Sequence, residues 1–115
     1  MKNKSLLQIF PQSVFENEIS EELENEKCKI HLKGFIGSSK SILAASIIKH
    51  AKSPQLFILN DKEIATYFIN DLENLLNHDI FFYPASYRRA YQIEETDNSN
   101  ILLRAEVLNK LNNKR

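Results

Sequence analysis

A single cysteine, Cys28, leaves this chain of 115 residues without an internal disulfide and without any multi-cysteine metal site. Cys28 reads instead as a small, semi-buried residue at the start of a strand. Charge of one sign is also missing. Fifteen basic and fifteen acidic residues give a formal net charge of zero, so no whole-chain basic field attracts nucleic acid or anionic membrane, and any DNA contact has to be local. Long hydrophobic runs are absent too. Lys2 and Lys4 precede the apolar stretch Leu6 to Phe10, but Gln8 interrupts it and Pro11 stops it, which is too short for a secretory signal. No run approaches the length of a membrane span, and a cytoplasmic location is the expectation. There are only two glycines, Gly34 and Gly37, three positions apart. Freedom for left-handed turns is therefore concentrated in one short stretch.

What is present suits one small domain. Apolar residues make up 43% of the chain, enough to bury a core. From Ser13 to Lys27, Phe15, Ile19 and Leu23 recur at helical spacing among solvated glutamates. Lys29 to Phe35 alternates like a strand with one wet face. Ser39 to Ala51 reads as a buried helix, with Ile42, Leu43, Ala45, Ile47 and Ile48 covering much of its circumference. The continuous run Leu56 to Leu59 reads as a buried parallel strand. The periodic segment Asp61 to Leu76 is the clearest helix, with Asn60 or Asp61 as its cap. Ile80 to Tyr83 reads as a third strand closed by Pro84. A polar connection spans 85–98. A last helix runs from Asn100 to Asn113 with Leu103, Val107, Leu108 and Leu111 inward.

Strands alternating with helices predict an α/β fold, a three-layer P-loop NTPase-like domain with a mostly parallel sheet and right-handed crossovers. The expected core contains Ile47, Ile48, Ile58, Leu59, Phe68, Leu72, Phe81 and Phe82. Residues 1–27 are expected to form a helical, acidic extension and residues 28–115 the domain proper. The order closes on a helix with no following strand, so the sheet is expected to be incomplete at its C-terminal end and the chain to be a piece of something longer. An incomplete sheet leaves an unpaired edge, which makes a homodimer of the piece an expected partner state.

The motif with chemistry is Gly34-Phe35-Ile36-Gly37-Ser38-Ser39-Lys40-Ser41, placed between an expected strand and a helix. The phosphate-loop pattern is G-x-x-x-x-G-K-[ST]. Gly34, Lys40 and Ser41 match it, and Ser39 stands where the second glycine belongs. In such a loop, backbone N–H groups wrap the phosphates, the lysine neutralises charge and the hydroxyl reaches magnesium. A side chain at Ser39 crowds that approach or disfavours the glycine conformation. The structural alternative has Gly37 opening a turn, Ser38 capping the helix and Lys40 solvated. Asp61, after Leu56 to Leu59, is weighed as a magnesium carboxylate but reads better as an N-cap. No acidic pair follows the third apolar run, so no catalytic residue is assigned. His31, His50 and His78 lack carboxylate partners at motif spacing, and no metal ligand is assigned. Tyr87, Arg88, Arg89 and Tyr91 mix aromatics with cations and form a candidate loop for contact with bases or a partner protein, although a loop whose tyrosines lie over the sheet edge is the better reading.

The stretches LKGFIGSSKSILAASIIKH, LFILNDKEIATYFINDLENLL and IFFYPASYRRAYQIEETDNSNILLRAEVLNKL, in that order, resemble the start of bacterial transcription-repair coupling factors, the Mfd family, in the style of its Bacteroidetes branch. The likeness covers roughly Ile30 to Leu111. The order FFYP, SY, Y, D, R, L is similar to the corresponding region of the repair protein UvrB. The resemblance implies a UvrB-like N-terminal module with degenerate nucleotide motifs, in which Gly34, Gly37, Ser38, Ser39, Lys40 and Ser41 fall on the phosphate loop. It implies a non-catalytic scaffold that needs no cofactor itself. The parent would be an ATP-dependent DNA translocase whose ATP and magnesium serve a downstream motor, which displaces stalled RNA polymerase and recruits UvrA for nucleotide excision repair. UvrA, RNA polymerase, DNA and the rest of the UvrB-like module in cis are its implied partners. The alternative is an active P-loop nucleotide-binding domain, UvrB-like or a small kinase.

Overall fold

Four helices form the regular structure of the computed structural model, which describes residues 14–85 and 98–113. Helix α1 covers Val14–Leu23, α2 Ser39–His50, α3 Lys62–Leu76 and α4 Asn98–Asn112. The chain divides into two compact units, Met1–His78 with the first three helices and Asp79–Arg115 with the fourth.

In the first unit α2 is central and packs against both α1 and α3. Its composition explains this. Ser41, Ala44, Ala45 and Ser46 are buried along it, and short side chains let neighbouring helix backbones approach closely. Ile19, Leu43, Ala65, Leu72 and Leu75 complete a small core, with Leu72 only 1% exposed. A side-chain hydrogen bond ties α2 to each neighbour. The Ser41 hydroxyl donates to the Asp71 carboxylate at 2.8 Å, joining α2 to α3. The Ser46 hydroxyl donates to Glu16 at 3.3 Å, joining α2 to α1. Phe57 lies against Phe68 of α3, their ring centroids 5.4 Å apart and tilted by 55°.

Local chemistry sets the ends of α3. Asp61 is the N-cap in an extended conformation, and its side chain accepts the Ile64 N–H at 2.8 Å. Asn77 ends the helix in the left-handed region, φ 56°, and its N–H bonds the Glu73 carbonyl at 2.9 Å. In the second unit α4 leaves no residue fully buried. Leu103 and Val107 are half-buried, whereas Leu108 and Leu111, expected to face inward, are exposed.

The expected α/β fold with a parallel sheet is overturned. The described residues are helical or irregular and contain no strand. Lys29 to Phe35, Leu56 to Leu59 and Ile80 to Tyr83 form no ladder. A strand exists only through its neighbour's hydrogen bonds, and a short apolar run does not itself supply that neighbour. Exposure still alternates along Leu56 to Leu59 and Ile80 to Tyr83, the two-residue period of an extended backbone. The expected core is corrected with the fold. Of its eight residues only Leu72 is buried. Ile58 is 87% exposed and Phe81 44%, and Ile47, Ile48, Leu59, Phe68 and Phe82 are half-buried. Burial falls instead on Ile19, Leu43, Leu75 and the small residues where α2 meets α1 and α3.

Candidate functional site

The loop before α2 holds the sequence-predicted site residues together in the chain. Gly34 and Gly37 both adopt left-handed backbone, φ 85° and 56°, and a Cβ at either would meet nothing within 4 Å. The need for glycine there is therefore conformational and not steric crowding. Gly37 turns the chain into α2, and Ser38 sits at the N-cap position with φ −73° and ψ 0° but makes no side-chain cap bond.

The turn that leads into the helix is closed by Ser39. Its hydroxyl accepts the Ile36 N–H at 3.0 Å and donates to the Ile36 carbonyl at 2.8 Å. Its own N–H reaches the same carbonyl at 3.3 Å. Three bonds between two residues close the turn. The Ile36 N–H is thereby engaged by a side chain and does not point at a ligand. Beside the two expectations for Ser39, crowding of a phosphate or a disfavoured glycine conformation, the structure adds a hydroxyl that holds the backbone of Ile36.

The two residues that match the pattern most closely diverge. Lys40 is exposed. Ser41 is 3% exposed, and its hydroxyl is turned into the helix interface, where Asp71 holds it. A hydroxyl that donates to a buried-side carboxylate is engaged in packing α2 on α3 rather than facing the loop mouth. Asp61, the other candidate for magnesium chemistry, uses its carboxylate on the Ile64 N–H, as its N-cap reading requires. The Asp71 partner of Ser41 was missed by motif reasoning. Its only sequence signal is its place on the inward side of α3, one position before Leu72.

His50 ends α2, with Nδ1 3.0 Å from the Ser46 carbonyl. His31 and His78 are exposed. Cys28 is half-buried in an irregular stretch rather than at a strand start. Among the described residues no group of three or more His, Cys, Asp or Glu side chains is placed to hold a metal ion. Tyr87, Arg88, Arg89 and Tyr91 lie outside the described residues. No helix among the described residues is long and apolar enough to cross a membrane.

No family model, curated protein or solved structure matches this chain.

Proposed function

We propose that the chain is a non-catalytic scaffold module of a transcription-repair coupling factor, working in the cytoplasm. The observation that carries this reading is the ordered likeness of three stretches between Ile30 and Leu111 to the start of that family. It rests on sequence alone. The loop chemistry supports the non-catalytic part. Ser39 and Ser41 spend their hydroxyls on Ile36 and Asp71, whereas a nucleotide hydrolase needs loop groups and a carboxylate free for phosphate and magnesium. In this reading ATP and magnesium belong to a downstream motor. UvrA, RNA polymerase and DNA are partners of the whole protein.

Two measurements test it. Incubated with ATP and magnesium, with or without DNA, the chain is expected to release no phosphate above background. A magnesium-dependent turnover that Lys40→Ala abolishes would overturn the scaffold reading in favour of an active P-loop domain. The reading frame beyond Arg115 should continue into a helicase-type motor, and a frame that stops there removes the coupling-factor assignment.

A further inference from the structure

Both cation–π pairs among the described residues lie in the unit Asp79–Arg115. The Arg104 guanidinium sits 4.9 Å from the centre of the Tyr83 ring and donates to the Tyr83 hydroxyl at 3.2 Å. The Lys110 ammonium sits 5.6 Å from the centre of the Phe81 ring. We propose that Phe81, Tyr83, Arg104 and Lys110 form a binding surface for a short stretch of single-stranded nucleic acid. The proposal stands on these rings and cations alone and does not depend on the coupling-factor reading.

Backbone periodicity builds the surface. Ile80 and Phe82 are half-buried while Phe81 and Tyr83 are 44% and 46% exposed. Alternation puts the two exposed rings on one side of the segment, about 7 Å apart along an extended chain. A cation lies over each ring, so in this proposal a base stacks on the part of each ring that its cation leaves exposed. Arg104 and Lys110 are six positions apart on α4, about 9 Å along the helix axis, so each cation meets a different ring.

The chemistry fits one ligand class best. Single strands are bound where aromatic faces stack on bases and nearby cations meet the backbone phosphates. A guanidinium has five N–H donors and an ammonium three. Arg104 spends one on the Tyr83 hydroxyl, which leaves donors on both cations for phosphate oxygens. A duplex keeps its base faces stacked and has none to offer the rings. Glu106 and Asp79 are the acidic residues in the described part of this unit. With a chain of zero net charge, they hold the affinity low and leave it sensitive to salt.

The test titrates the 115-residue chain into a fluorescein-labelled oligothymidylate of about twelve nucleotides and into a matching duplex, reading anisotropy. The single strand is expected to bind more tightly than the duplex, and more tightly at about 50 mM than at about 200 mM salt. Phe81→Leu and Tyr83→Leu should each weaken binding by about fivefold or more while helical circular dichroism is kept. Arg104→Lys, which keeps the charge, should retain most of the binding. Should a ring variant lose helicity, Lys110→Gln on an exposed side chain carries the test by lowering affinity and flattening the salt dependence. Binding of neither nucleic acid overturns the proposal. So does equal binding of single strand and duplex that the ring variants leave unchanged. In either case the pairs serve only to clamp residues 81–83 onto α4 or to face a protein.

Discussion

Ser39 is a departure from a pattern in the sequence and a structural bond in the fold. Its hydroxyl makes two hydrogen bonds to the backbone of Ile36, one accepted and one donated. Removing it with Ser39→Gly leaves the Ile36 N–H and carbonyl to water and adds backbone freedom at the first residue of α2. The expected cost is about 1–2 kcal/mol, from two modest hydrogen bonds and one added glycine. Urea unfolding followed by helical circular dichroism would show it as a lower midpoint at unchanged slope. An unchanged midpoint would mean that water replaces the hydroxyl without loss. At this scale the glycines were legible, because only a few residue types accept φ values of 85° and 56°. The partner of Ser41 was not. Asp71 is thirty positions away, and no local spacing rule reaches that far.

Helices were legible as elements. The periodic apolar positions of 61–76 and the aspartate before them correspond to α3 and its cap. Asp61→Ala should lower stability by about 1 kcal/mol, and Asp61→Ser should restore most of it, because either side-chain oxygen can accept the Ile64 N–H. Thermal melts of the three proteins check this, and equal melting temperatures would remove the cap from the stability of α3. Leu72 anchors the same helix in the core at 1% exposure. Leu72→Ala should cost about 3 kcal/mol through lost burial and the cavity left behind. In a core this small, with few larger side chains to collapse into the gap, loss of cooperative unfolding is the expected appearance. A variant that melts within a degree of the parent would contradict the assigned packing. The inward face of α4 was not legible. Apolar residues occur around its whole circumference, and periodicity cannot rank two apolar sides.

At the scale of the whole molecule, described residues that form no sheet leave apolar surface exposed. Leu56 and Ile58 are 83% and 87% exposed, and among the described residues no backbone hydrogen bond ties residues 56–59 to a partner. Extended, uncharged, unpaired backbone tends to associate with its like. The chain is expected to self-associate weakly as concentration rises. Two such side chains per molecule fall well short of the roughly 800 Å² per partner of a stable interface. Sedimentation velocity over a concentration series should show this, and Ile58→Lys should suppress it. A clean monomer at high concentration, or association indifferent to Ile58→Lys, would count against it.

By itself the sequence determined the local features: where the helices run, where glycine is required, that Asp61 begins α3, and that the chain carries no net charge. These follow from neighbours within a few positions, where backbone sterics, capping and periodicity act. Whether the apolar runs 56–59 and 80–83 would pair into a sheet, which hydroxyl locks the loop, and which side of each helix is buried were decided only by the tertiary structure. Those outcomes depend on partners distant in sequence. An extended run becomes a strand only when another backbone meets its hydrogen bonds, and a side chain becomes core only when another element covers it.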